Sequence, residues 1–213
     1  MAQSKIEDRA AHVAIVPSRN VEGANSIDDD VMGLEVLPLD EALLRTYDTD
    51  CHLQPAVIDP LEEIQPRLNR PVLRSVRSAD ADVVLHSVFI DVDNADHKPW
   101  SPMLAEATLL SLLDEYGDGP LEHAGVYATR AGFRIVFRVD PPIPADLYRS
   151  TVGHPGDDKN PPGGLLGWLA GAIALPGQDI DASCNSPWRI YRAPRVLRDG
   201  NPTEGFMDLD GLA

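Results

Sequence analysis

The chain has 213 residues, 43% of them hydrophobic, which is enough to bury a core in one large domain or in one domain with an appended segment. Its net charge of −16 argues against a uniformly basic nucleic-acid-binding surface. Cys51 and Cys184 have no companion Cys/His cluster, so neither a disulfide framework nor a structural zinc is implied. Lys5, Glu7, Asp8 and Arg9 break any leading apolar run, no stretch approaches membrane-spanning length, and a cytoplasmic location is expected.

The charge is uneven. Residues 1–60 are strongly acidic, with Lys5, Arg9, Arg19 and Arg45 as their cations, whereas residues 127–198 carry more basic than acidic side chains. A locally positive face is compatible with that distribution.

Residues 1–35 are polar and include Asp28-Asp29-Asp30, and they read as a flexible acidic leader. A short helix is predicted from Glu41 to Tyr47, capped by Asp40, with Leu39 stapled onto Leu44. Pro55, Pro60, Pro66 and Pro71 exclude a long helix between them, and Val72 to Val76 alternates as an edge strand would. Val83 to Val92, β-branched and nearly all apolar, is the strongest strand signal.

A helix from Pro102 to Tyr116 follows, with Ser101 at the N-cap, Pro102 at N1 and a stripe of Leu104, Leu109, Leu112 and Leu113. Gly125 to Ala128 and Phe133 to Val139 read as a hairpin around Thr129-Arg130-Ala131-Gly132. Pro141 to Pro162 is proline-rich and reads as loop, and Leu165 to Leu175 reads as a glycine-softened helix. The acidic stretch from Asp199 carries no pattern, and residues 206–213 read as a tail. Strand, helix and hairpin in this order specify a small α+β sheet with a helix on one face, within a domain over residues 36–205.

Three features carry chemistry. The strand ending Ile90-Asp91-Val92-Asp93 places two carboxylates on one face, because side chains alternate along a strand. Such a pair repels unless a cation sits between, and hard oxygen donors suit Mg²⁺ or Mn²⁺. The hairpin contributes Thr129, Arg130, Gly132 and Arg134, and Arg130, Arg134 and Arg138 recur at the four-residue spacing of a solvated strand face. A third acidic segment, Asp179-Ile180-Asp181, precedes Arg189-Ile190-Tyr191-Arg192-Ala193-Pro194. Trp100, Trp168 and Trp188 read as core or lid aromatics, and His86, His97, His123 and His154 lack metal-ligand spacing.

Taken together, these segments resemble the catalytic core of archaeo-eukaryotic primases, particularly the primase-polymerase domains of plasmids, phages and other mobile elements, over about residues 70–200. The resemblance implies an RRM-like core sheet with flanking helices. It implies a two-ion Mg²⁺ or Mn²⁺ site on Asp91, Asp93 and Asp181, Asp181 being preferred over Asp179 for its apolar-Asp form. Thr129, Arg130, Gly132, Arg134, Arg189 and Arg192 are then the nucleotide contacts, with Arg134 where the family usually has histidine. The implied activity is primer synthesis or extension from nucleoside triphosphates on single-stranded DNA. A helicase would be supplied in trans or by a further region, since the chain shows no Gly-x-x-x-x-Gly-Lys-Ser/Thr loop.

Two other readings of the same residues stay open. One is a noncatalytic nucleotide- or DNA-binding module on the same fold. The other is an unrelated metal-dependent nucleotide enzyme built on Asp-x-Asp.

Overall fold

The structure is a computed structural model that describes residues 11–17, 35–59, 82–198, 201–203 and 205–212. It is an α+β fold built on antiparallel sheets, as the order of elements predicts.

Its centre is strand β5 (Asp82–Asn94), with Val88, Phe89, Ile90 and Val92 fully buried. A strand apolar on both faces must be covered on both. After β5 comes helix α2 (Pro102–Tyr116), which begins as predicted: Pro102 takes the first helical position and the Ser101 hydroxyl accepts from the Leu104 amide at 3.2 Å. The buried stripe of α2 is Ala105, Leu109 and Leu112, while Leu104 is exposed. Strands β6 (Ala124–Ala128) and β7 (Gly132–Pro144) form the expected hairpin, and β7 pairs along β5 from Val84 to Asp93 with an irregularity between Leu85 and Ser87.

The proline-rich stretch read as loop is more ordered than expected. Strand β7 continues through Pro144 by way of a cis Asp140–Pro141 bond, and helix α3 (Ala145–Val152) follows directly. Pro144 lies just outside the first helical turn, where no intrahelical amide is needed, and Tyr148 and Val152 bury the helix. Helix α4 (Gly164–Ala172) then leads to β8 (Gln178–Ile180), which pairs antiparallel with Val92 to Asn94. The spatial order is β8-β5-β7-β6, produced by the chain order strand, helix, strand, strand, two helices, strand.

The N-terminal residues build a second sheet. Strand β1 (His12–Pro17) lies between β2 (Glu35–Pro38) and β3 (Cys51–Gln54), with β9 (Tyr191–Arg192) on the far side of β3. The expectation of a flexible leader therefore fails at residues 12–17. The average polarity of residues 1–35 hides a short apolar run, and Val13, Ala14 and Ile15 are buried with neighbours on both edges of the strand. Residues 18–34 lie outside the described residues.

Helix α1 (Leu39–Leu44) begins earlier than predicted, after Pro38, without a side-chain cap, and Leu44 is exposed, so the Leu39–Leu44 staple does not form. The Leu39 amide instead donates to the Ala11 carbonyl at 2.7 Å, so the β1 sheet sets the start of the helix. The chain then passes from one sheet to the other at Pro55, between β3 and β4 (Ala56–Asp59), the latter pairing with Asp82 to Leu85. Proline lacks the amide that continued pairing would require. The predicted edge strand at 72–76 lies outside the described residues.

The predicted tail is also part of the fold. Met207 and Asp208 pair with Tyr127 and Val126, and Leu212 is buried against the β6 side of the sheet. Among the described residues no helix is long and apolar enough to cross a membrane.

Candidate metal and nucleotide site

Asp91, Asp93 and Asp181 converge: one carboxylate oxygen from each lies within 4.8 Å of the others. Strand alternation puts Asp91 and Asp93 on the same face of β5, and β8 brings Asp181 to them, its amide donating to the Asp91 carbonyl at 2.9 Å. Asp181 also caps the short 3₁₀ helix Ala182–Asn185 by accepting from the Ser183 amide at 2.8 Å. In that helix the buried Cys184 sulfur accepts from the Asp91 amide at 3.1 Å, fixing the backbone of the β5 end.

Gly132 stands opposite Asp93 on β7. A Cβ there would overlap the Val92 carbonyl, so glycine is required for the close approach of the two strands at the acidic cluster. This is a packing role, distinct from the nucleotide contact that the resemblance implies.

Arg134 is the main departure from the sequence expectation. It is the direct cross-strand partner of Asp91, and its Nε and Nη2 donate to Asp91 Oδ1 and Oδ2 at 3.1 and 3.3 Å. Its Nη1 donates to the Arg192 carbonyl at 2.6 Å and to the Tyr127 hydroxyl at 3.3 Å. The side chain is 11% exposed, so the reading of Arg130, Arg134 and Arg138 as one solvated face does not hold. Every guanidinium nitrogen bonds within the protein. The phosphate-contact role implied for Arg134 is therefore taken up by intramolecular bonds.

Arg189 behaves similarly. It bridges the cluster, donating from Nη1 to Asp181 Oδ2 at 2.6 Å and from Nη2 to Asp91 Oδ2 at 3.1 Å. The guanidinium carbons of Arg134 and Arg189 each lie 5.4 Å from the centre of the Tyr191 ring, which stacks in turn on Phe89 with centroids 5.1 Å apart.

These partners divide the carboxylates. Burial pushes the Asp93 pKa up, and the nearby Asp91 and Asp181 charges add to that rise. Burial alone would raise Asp181 as well, but its hydrogen bonds from Ser183 and the Arg189 charge hold it below the ordinary carboxylate value. Asp93 has no hydrogen-bond or ion-pair partner among the described residues, so it is the carboxylate whose charge most needs a cation.

Beside the cluster opens a cleft of about 560 Å³ walled by Asp91, Asp93, Trp100, Thr129, Arg130 and Arg192, among others. Arg130 is exposed in the β6–β7 turn. Arg192 donates from Nε to Asp50 Oδ1 at 2.8 Å, and Asp50 is itself buried. Trp100, expected to be a core or lid aromatic, lies in the cleft wall, stacked on Phe133 and donating from Nε1 to the Thr129 carbonyl at 3.0 Å. Trp168 is exposed.

Comparisons with protein-family models, with curated proteins and with solved structures return no match. What can be said of the site therefore rests on its own geometry. Sequence reading missed Asp50, Tyr127 and Cys184. Asp50 lies in the acidic N-terminal region with nothing local to distinguish it, and the other two act only across strands.

The donor set fits one hard divalent cation, with three carboxylates within reach of a common ion. Both oxygens of Asp91 already accept from guanidinium groups, and those of Asp181 accept from the Ser183 amide and Arg189, so Asp93 is the member of the cluster whose carboxylate is free of such bonds among the described residues.

Proposed function

We propose that the chain carries a metal-dependent nucleotidyl-transfer domain of the primase-polymerase type, which makes or extends primers on single-stranded DNA. The observation that carries this reading is the convergence of Asp91, Asp93 and Asp181, the first two of which wall a cleft that also presents Thr129, Arg130 and Arg192. The strand order β8-β5-β7-β6, with helices following β5 and β7 along the chain, supports an RRM-like reading of the sheet alongside the resemblance in the motif segments.

The residues divide the work as follows. Asp93 and Asp181 would hold a Mg²⁺ or Mn²⁺ ion, which when bound neutralises charge on the transferring phosphate and lowers the pKa of the attacking hydroxyl. Arg130 and Arg192 are placed to bind the triphosphate through charge-assisted hydrogen bonds. Arg134 and Arg189 orient the acidic cluster. Trp100 walls the cleft on the side of the hairpin turn. The template strand would bind weakly and with steep salt dependence, since the net charge of −16 repels phosphate outside the cleft. A helicase or other partner in trans would supply the missing affinity.

One observation favours a second reading, a nucleotide- or DNA-binding module without turnover: Asp91 is already neutralised by two arginines. A primer-synthesis assay with Mn²⁺, single-stranded DNA and both ribo- and deoxyribonucleoside triphosphates separates the two. The first reading expects metal-dependent oligonucleotide products. The second expects nucleotide binding with no products under any of these conditions.

A further inference from the structure

The cleft is not lined by charge alone: besides its carboxylates and arginines it presents an apolar wall of Pro99, Trp100 and Pro102. Phosphate binding accounts for Arg130 and Arg192 but leaves Trp100 without a role. That side chain is fixed from three directions. Its Nε1 donates to the Thr129 carbonyl at 3.0 Å, its amide donates to the Arg130 carbonyl at 3.3 Å, and its ring stacks on the buried Phe133 with centroids 6.3 Å and planes 17° apart. Pro99 before it and Pro102 two residues on restrict the backbone that carries it. The single polar atom of the indole is thus already bonded and one face of the ring is covered, so what the ring offers the cleft is carbon. A rigid apolar surface of this kind suits the face of a flat aromatic ligand, and it suits a charged group less well.

Resting on the nucleotide-binding reading above, we infer that Trp100 is the base platform of the cleft: the nucleobase of a bound nucleoside triphosphate lies against its ring while Arg130 and Arg192 hold the phosphates. The two hydrogen bonds from Trp100 run to the turn that carries Arg130, so the platform and that cation are held in one rigid unit. The cleft volume of about 560 Å³ lies within the range of sites that enclose a small molecule. Stacking reads the face of a base and none of its edges, so this subsite separates nucleotides from bare polyphosphates and accepts all four bases.

The test is isothermal titration of the full chain, at fixed Mg²⁺, with adenosine triphosphate and inorganic tripolyphosphate as paired probes. The inference expects the wild type to bind the nucleotide more tightly than tripolyphosphate. Trp100→Leu keeps an apolar side chain over Phe133; it should weaken the nucleotide by about fivefold or more and leave tripolyphosphate unchanged. Trp100→Phe should recover most of that loss, whereas Arg130→Ala should weaken both probes. Equal wild-type affinities for the two probes, or a loss in Trp100→Leu shared equally by both, would overturn the inference and leave a phosphate-binding cleft standing. A loss in Trp100→Leu confined to a single-stranded oligodeoxythymidylate would also overturn it, by giving the ring to the template strand. Absence of binding of either probe to the wild type at millimolar concentration would overturn the nucleotide-binding reading as well. If Trp100→Leu does not fold, the wild-type comparison of the two probes decides.

Discussion

Arg134 faces Asp91 directly across the β5–β7 ladder and bonds both of its carboxylate oxygens, so the first carboxylate of the Asp-x-Asp pair is part of a buried ion pair before any ligand arrives. Removing one member of such a pair strands the other charge in a poorly solvated place. Asp91→Asn should therefore destabilise the protein by about 3–5 kcal/mol, measured by urea unfolding. Activity lost in Asp91 variants therefore has to be read beside their stability.

Asp93→Asn is the cleaner probe. The Asp93 pKa is raised in the folded chain, chiefly by burial and then by Asp91 and Asp181. The native state thus holds a proton at Asp93 to higher pH than the unfolded chain does, and Asp93 lowers stability progressively as pH rises through that window. Without metal, Asp93→Asn should raise the melting temperature at neutral pH, and the difference should shrink on acidification toward the ordinary carboxylate range. An equal effect at all pH values would contradict the assignment. With Mn²⁺ the order should reverse, because only the wild type gains the ion.

Asp181 behaves oppositely. Its pKa is held below the ordinary value, with the Ser183 hydrogen bonds and Arg189 outweighing burial. Its contribution to stability is present above the unfolded-state carboxylate pKa and is lost as pH falls through the depressed folded value. Arg189→Ala should move the Asp181 titration upward by carboxylate NMR. An unmoved titration would show that Ser183 alone sets it.

Gly132 tests the spacing of the strands. Gly132→Ala places a methyl group against the Val92 carbonyl, and overpacking of this kind costs about 1–3 kcal/mol, occasionally more. Because the displaced residue adjoins Asp93, Mn²⁺ affinity should fall along with the urea midpoint. Unchanged affinity would mean that the carboxylates are positioned independently of the β5–β7 contact.

Much of this architecture is legible in the sequence where the signal is local. The apolar run of β5, the Ser101-Pro102 start of α2 and the hairpin around Gly132 are all encoded within a few residues. The acidic triad is legible as well, since strand alternation pairs Asp91 with Asp93 and the family resemblance, through its apolar-Asp form, points to Asp181. What escapes is whatever depends on partners distant in sequence. Val13 and Ile15 look like strays in a polar leader until β2 and β3 flank them. Arg134 looks like a ligand-binding cation because its Asp91 partner lies 43 residues away along the chain. The Pro141–Pro144 segment reads as loop because proline disfavours strands in general, yet Ile143 and Pro144 here pair with Leu85 and Val84.

In the proposed reading, with Arg134 and Arg189 committed to carboxylates, Arg130 and Arg192 are the arginines left to recognise a nucleotide. Each Arg→Ala substitution should weaken triphosphate binding by about 1.5–3 kcal/mol, the range for hydrogen bonds to charged groups. Arg130→Ala should do so without loss of stability, because the side chain is exposed in the turn. Arg192→Ala should also lower stability, because it leaves the buried Asp50 without its partner. Isothermal titration with a nucleoside triphosphate reads both, and full affinity in the double variant would remove the cleft from consideration.

The most direct test of the whole account compares wild type with Asp93→Asn in primer extension on single-stranded DNA with Mn²⁺ and nucleoside triphosphates. The account predicts extended products from the wild type and none from the variant, at equal folded protein and comparable DNA binding. Equal inactivity of both proteins, with nucleotide still bound in the cleft, would contradict it and leave a binding module in place of an enzyme.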